Sequence, residues 1–554
     1  MALPFFSRAE NPLRMTPNRR TFLKQLGFGA GGLGFAFTLP RAVYAHGSSA
    51  ARLPRSAPEA EGVSSAGILA FLEAIAQSKH EFHSIMMLRH GRVIAEGWWS
   101  PYGPDLNHTL YSMSKSFTST AVGLAVADGK LQVEDKVVSF FPKDLPDAVS
   151  ENLAALRVRD LLTMSVGHDK EPSGTMVKEE NWVKAFLAWP IPNAPGSHFL
   201  YNSAATYMLS AIVQQVTGKT ALECLKPRLF EPLGIEGATW ETCPRGINTG
   251  GWGLSVRTED LAKFGQLYLQ KGVWKGREIL PAKWVEEATT FKIQQPAPAK
   301  PTRPDAQNDW LQGYCYQFWR CQHQAFRGDG AFGQFTIVFP EQDAVIAITS
   351  ESPSMQGELD LVWEHLLPAM HADALPEDRS TQWRLAQTLS SLALMPPKGQ
   401  TASPEAERIS GKTFKLEESS SGIQSASFEF RDAACLFTLK DAHAEYPIRC
   451  GLEKWKLGET ALPGTPPRII SGGAPKPGTP AKVAASATWK PDASDPARPN
   501  VLELTWRYYE TPHHDTVTCR FEGDKVEIGF MSSVAQKSAK PKDPRPALRG
   551  QMPG

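Results

Sequence analysis

The sequence predicts an α+β body, one antiparallel sheet flanked by helices with a helical insertion, followed by a separate all-β barrel or sandwich domain. Three observations carry this prediction. Strand-like runs stand at two distant places, SIMMLRHGRVIAEGWW near residue 84 and GQFTIVF with AVIAITS near residue 340, and a helix-rich stretch of residues 112–290 separates them. Strands, then helices, then strands suggest one sheet assembled from both ends of a segment. Near residue 394 the texture changes, and beyond it short alternating runs such as ASFEFRD, CLFTLKD and TVTCRFEGDKVEIGF dominate. Alternation without helical period reads as half-buried strands, about eight of them.

The elements follow in chain order. Residues 67–77, GILAFLEAIAQ, place apolar side chains at helical spacing. Two strand runs then flank His90-Gly91, a hairpin signal. A helix is expected from Ser112 to about Asp128, closed by Gly129. A second, clearly apolar helix follows Tyr201 and Ser203. YCYQFWRC reads as a strand, and Pro340-Glu341-Gln342-Asp343 as the tight turn joining the last two strands. LDLVWEHLLPAM, residues 359–370, closes the body as a helix, and LMPPKGQTASPEAE is a proline-rich linker. The resulting division is an export signal over 1–45, a body over 46–393, a linker over 394–408 and a β-domain over 409–554.

The chain has 554 residues, with 59 basic side chains against 58 acidic. A net charge of +1 gives no electrostatic reason to expect nucleic acid as a partner. Residues 18–24, NRRTFLK, with a mildly apolar glycine-rich run and a small-residue site near Ala45, resemble a twin-arginine export signal. That run is too short and glycine-rich for a membrane span, so the mature protein is expected to be exported, periplasmic or extracellular, with no span of its own. Seven cysteines are an odd number. If YQFWR is a strand, Cys315 and Cys321 stand too far apart to bridge, and mostly buried thiols are expected.

Several motifs lead nowhere. GAGGLG lies in the export signal and GDGAFG opens into a strand, so neither fits a dinucleotide fold. His80-Glu81-Phe82-His83 reads as a helix end and His513-His514-Asp515 as a turn between strands, each in preference to a metal site. No G-x-S-x-G elbow is present.

YSMSKSFTST, residues 111–120, remains. A Ser-x-x-Lys match alone occurs by chance about twice in a chain this long. On a helix, however, i and i+3 share a face, which places the Lys115 amine beside the Ser112 hydroxyl. Serine needs a base to act as a nucleophile, and burial behind Phe117, Val122 and Leu124 would make lysine one. Tyr201 is the candidate proton carrier, or else a core tyrosine at the mouth of its helix. GDGAFGQ, residues 328–334, offers a glycine-flanked strand edge along which substrate could lie, or a plain turn. The backbone N–H groups of Ser112 and Phe332 would pair as an oxyanion hole. Ser203, Trp252, Asp329, Gly330 and Ala331 would line the substrate pocket, although Trp252 reads equally well as a structural tryptophan.

Together these stretches resemble one family. YSMSKSFTSTAVGLAVADGKL, VRDLLTMSVGH, PGSHFLYNSAATYMLSAIV, GGWGLSVRTEDLAKFGQLYL and DGAFGQFTIVFPEQDAVIAITS are similar to the serine hydrolases related to class C β-lactamases. That superfamily includes DD-peptidases, family VIII-type esterases and 6-aminohexanoate-dimer hydrolases. The resemblance covers roughly residues 55–370. It implies a β-lactamase/DD-peptidase-like fold, and catalytic Ser112, Lys115 and Tyr201 with no metal and no cofactor. Two departures matter. Tyr-x-Asn is replaced by Tyr201-Asn202-Ser203, and Asp329 stands where the family usually has a cation. A carboxylate there would repel a penicillin carboxylate and suit a neutral ester or amide, or a substrate bearing an amine. The expectation is an exported serine hydrolase acting on a small ester or amide, with Lys115 and Tyr201 sharing the proton work. The alternatives are a β-lactamase or penicillin-binding protein, or a non-turnover acylated sensor or cell-wall binding protein.

Overall fold

The computed structural model describes residues 52–470, 480–491, 500–538 and 540–553. The export signal expected over residues 1–45 lies outside them. Among the described residues no helix is long and apolar enough to cross a membrane.

The body is built on six strands: β1 (Phe82–Arg89), β2 (Arg92–Trp98), β3 (Trp319–Arg320), β4 (Phe326–Gly330), β5 (Gln334–Phe339) and β6 (Ala344–Ser350). They lie in the order β2-β1-β6-β5-β4-β3, all antiparallel. The sheet therefore joins the two ends of the segment, as the strand-helix-strand pattern predicts. His90 (φ 49°) and Gly91 (φ 71°) supply the left-handed pair that a tight hairpin between β1 and β2 requires.

Four helices matter for the site: α1 (Ser65–Gln77), α2 (Ser114–Ala127), α3 (Ser203–Thr217) and α4 (Thr258–Leu269). Helix α2 is buried on every side from Ser114 to Ala125. Three of its hydroxyls find partners inside the core, whereas that of Ser119 is buried without one. Ser116 Oγ donates to the Gln317 carbonyl at 2.8 Å, Thr118 Oγ1 to that of Gly250 at 2.9 Å, and Thr120 Oγ1 lies 2.8 Å from the Tyr268 hydroxyl. These three bonds tie the helix to Gln317, Gly250 and Tyr268 and so favour one packing arrangement.

YCYQFWRC departs from expectation. Only Trp319–Arg320 is strand, and Gln317 (φ 65°) turns the chain so that Cys315 N–H donates to the Phe318 carbonyl. The aromatic run is strand only at its end, since the rings of Tyr314 and Phe318 bury in packed aromatic clusters and the chain turns at Gln317 before Trp319 joins the ladder. All seven cysteines are free, six of them buried.

The C-terminal domain is a barrel. Its strands are β7 (Lys412–Leu416), β8 (Ser425–Arg431), β9 (Ala434–Lys440), β10 (Glu445–Leu452), β11 (Lys456–Thr460), β12 (Ala481–Lys490), β13 (Val501–Arg507), β14 (His514–Glu522), β15 (Lys525–Ser532) and β16 (Leu548–Gln551). Nine close in the order β10-β9-β8-β7-β16-β15-β14-β13-β12, and a short parallel contact of Gly451 and Leu452 with Ser486 and Ala487 seals the ring. The tenth, β11, hangs on β12. Closure removes the open edges that a sandwich would leave. The linker expected over 394–408 is not free. Leu394 pairs with Ser100, Gln400 exchanges backbone bonds with Trp489, and Pro404–Ile409 forms a helix capped by Ser403. Body and barrel belong to one compact unit.

Candidate active site

Ser112 sits in a single 3-10 turn, Tyr111–Met113, immediately before α2. Tyr111 enters that turn at φ 48°. A bulky residue in the left-handed region is strained, and it breaks the line of the backbone so that the Ser112 amide is released from the helix ladder. Phe332, on the turn between β4 and β5, has φ 71°. Its carbonyl is held by the Ser352 amide at 2.9 Å and the Ser350 hydroxyl at 2.6 Å. Neither the Ser112 nor the Phe332 amide has an acceptor among the described residues.

Lys115 Nζ lies 3.1 Å from Ser112 Oγ, 3.0 Å from Ser203 Oγ and 2.7 Å from the Gly251 carbonyl. Burial lowers its pKa to about 7, against the opposing pull of Glu171 and Asp329. A neutral amine has two N–H groups and one lone pair. Donation to Gly251 O and Ser203 Oγ leaves the lone pair for the Ser112 O–H. Tyr201 places its ring over the amine, 4.9 Å from centroid to Nζ, and its hydroxyl interacts with that of Ser112. Burial, reinforced by Asp329, pushes the phenol well above its ordinary range. The structure thus brings Ser112, Lys115, Tyr201 and Ser203 together.

The pocket residues fare differently. Asn202 is turned away: it caps α3 through Ala205 N–H and lies 3.0 Å from His168 Nδ1. Trp252 is buried and stacks on Trp182 at 5.8 Å, yet it also lines a small cleft with Tyr111, Glu241 and the barrel loop Pro466–Ile470. Asp329 is not a bare carboxylate. The fully buried Arg327 holds its Oδ2 at 3.0 Å, so it neither repels an anion nor welcomes a cation as a free charge would. The Arg327 guanidinium is itself spent on Asp329, the Asp309 carbonyl and the Trp310 ring. Gly330 is small for a reason other than substrate access. A Cβ there would lie 2.0 Å from the Leu110 carbonyl, and one on Gly328 2.4 Å from Met113 Sδ. These glycines let β4 press against the Ser112 turn, while Ala331 and Phe332 stay partly exposed at the rim.

Two groups escaped the sequence reading. Glu171 accepts from the Ser203 and Ala204 amides at 2.9 and 3.2 Å, capping α3 beside Lys115. It lies in a loop with no periodicity to announce it. The second group joins the two histidine motifs. His80-Glu81-Phe82-His83 is not a helix end, since β1 begins at Phe82, and His513-His514 faces it from the barrel. Ligand atoms of Glu81, Glu351 and His514 come within 4.8 Å of one another. Arg507 takes both Glu81 oxygens, at 2.6 and 3.1 Å, and Lys537 lies 3.2 Å from Glu351. Two cations already balance the two carboxylates, which makes this an ion-pair network rather than a fit for a metal.

The Beta-lactamase family matches residues 76–369, just over half of the chain. This chain belongs to the beta-lactamase family. It is a family of serine hydrolases, and Ser112, Lys115, Tyr201 and Phe332 all fall inside the matched span. The 6-aminohexanoate-dimer hydrolase of Paenarthrobacter ureafaciens is 26% identical over 290 residues, 49% of this chain and 72% of that protein. The D-aminopeptidase of Brucella anthropi is 24% identical over 168 residues, 28% of this chain and 32% of that one. A solved penicillin-binding protein homolog from Caulobacter crescentus is 15% identical with a TM-score of 0.45, covering 55% of this chain and 97% of that one.

Proposed function

We propose that this beta-lactamase family protein is an exported hydrolase that cleaves an ester or amide bond of a small substrate through an acyl-serine intermediate. The observation that carries the reading is the buried Lys115 amine, 3.1 Å from Ser112 Oγ with a pKa of about 7. Lys115 takes the Ser112 proton as the hydroxyl attacks the carbonyl carbon. Tyr201, kept as a phenol by burial, passes its proton to the leaving group and takes back the one that Lys115 holds, so the amine is neutral again and activates water for deacylation. The amides of Ser112 and Phe332 receive the oxyanion, and the two left-handed residues, Tyr111 and Phe332, are where strain would be stored for that purpose.

Substrate choice follows from what is missing near the nucleophile. The position that usually carries a cation is Asp329, and the nearby Arg327 is buried and occupied. That argues against substrates that must dock a carboxylate there. Glu171, beside Lys115, is the exposed acidic group of the site. The similarity to a 6-aminohexanoate-dimer hydrolase adds weight to a linear amide.

The test is a substrate panel with mature protein: nitrophenyl esters, small linear amides and a chromogenic cephalosporin, each with wild type and Ser112→Ala. Turnover of esters or amides that vanishes in Ser112→Ala is expected. Cephalosporin turnover exceeding both would refute the substrate class.

A further inference from the structure

The hairpin between β13 and β14 leaves the barrel and docks on the segment that leads into the nucleophile turn. Thr109 N–H donates to the Glu510 carbonyl at 3.0 Å, and the Tyr102 hydroxyl to that of Thr511 at 3.0 Å. At the end of the hairpin His513 is fully buried. Its Nε2 meets the Tyr111 hydroxyl, and its Nδ1 lies 2.9 Å from Glu351 Oε1. Its ring also packs edge-on against Phe332 at 4.9 Å, and Phe332 against Tyr111 at 5.7 Å.

The protonation pattern is determined by the partners. Burial opposes the charge of Glu351, but hydrogen bonds from His513 and His514 outweigh it and keep the carboxyl well below its ordinary range. A carboxylate only accepts, so Nδ1 carries the imidazole proton. Burial holds His513 neutral, and Nε2 is then an acceptor. Burial keeps Tyr111 a phenol, so it donates. The chain runs from Tyr111 O–H to His513 to Glu351. Glu351 also reaches the other amide, because its neighbour Ser352 holds the Phe332 carbonyl.

Resting on the reading of Ser112 as nucleophile, we propose that His513 of the barrel is a positioning residue for the oxyanion hole, locking Tyr111 and the Phe332 turn so that the Ser112 and Phe332 amides converge. Through His513 the barrel would thereby complete the catalytic centre from behind the two amides. An unlocked Tyr111 would relax toward an ordinary backbone conformation and swing the Ser112 amide off target, since the left-handed conformation persists only when surroundings over-determine it.

The experiment uses full-length mature protein and a nitrophenyl ester, with active sites titrated. Tyr111→Phe removes one oxygen and keeps the ring. It is expected to lower kcat per titrated site about 10–100-fold, with KM within about twofold, and to weaken a phosphonate transition-state analogue in parallel. His513→Leu should do the same, and His513→Gln, whose amide can accept from Tyr111 and donate to Glu351, should recover most of the loss. The double variant Tyr111→Phe/His513→Leu should be no worse than either single change. A normal kcat per titrated site in Tyr111→Phe overturns the proposal, even where the histidine variants fold poorly. Full activity in Ser112→Ala would instead overturn the functional reading itself.

Discussion

The two sides of Ser112 are built in different ways. On one side stand Lys115, Tyr201, Ser203 and Gly251, all from the body and all gathered around the Lys115 amine. On the other stand Tyr111 and Phe332, whose support comes from Glu351 in the body and His513 in the barrel. In the proposed reaction the first side moves protons, and burial tunes its groups. The second side would transfer no proton and would serve geometry. Proton chemistry needs a few groups at hydrogen-bond distance, which one domain can supply. Holding two amides in strained conformations needs packing from several directions, and here that packing comes from two domains.

The contrast can be broken in order of expected effect. Ser112→Ala should cut kcat/KM by at least about 10⁴-fold with any substrate that is turned over, measured by steady-state kinetics. Lys115→Met should cost about 10³-fold, within the range for loss of a general base. It should also abolish the acid limb of the pH profile. In wild type that limb should lie near pH 7, with activity rising as pH rises, because the amine must lose its proton to act and burial sets its pKa at about 7. Gly330→Ala attacks the geometric side. Its Cβ would meet the Leu110 carbonyl at 2.0 Å, so a loss of about 1–3 kcal/mol in stability is expected in thermal unfolding, together with reduced kcat. Glu171→Gln is the mildest. Glu171 raises the Lys115 pKa, so its removal should move the acid limb to lower pH by less than about one pH unit. A shift to higher pH would show that Glu171 does not act on Lys115.

The barrel's ion pairs sharpen the same point. Arg507 with Glu81 and Lys537 with Glu351 are largely desolvated, and removing one partner from such a pair leaves the other charge uncompensated. Glu81→Gln should therefore loosen the body–barrel contact, read as increased hydrogen exchange of the β13–β14 hairpin.

The sequence by itself determined the proton side and the outline of the fold. Ser112 and Lys115 meet because residues three apart share a helical face, which is a local rule. The hairpin at His90-Gly91, the turn at Pro340–Asp343 and the helix from Ser203 follow from equally local signals. The alternating tail was legible as β but not as a closed ring, because closure depends on the pairing of Gly451 with Ser486 across the barrel. Tertiary structure decided the remainder. The aromatic run at Cys315–Cys321 folds as a turn because its rings find a cluster to fill. Asp329 loses its apparent freedom because strand alternation brings Arg327, two residues away, onto the same face of β4. His513 lies 402 residues from Tyr111, and no periodicity links positions so distant. Only the packing of one domain on another could bring that imidazole to the residue before Ser112.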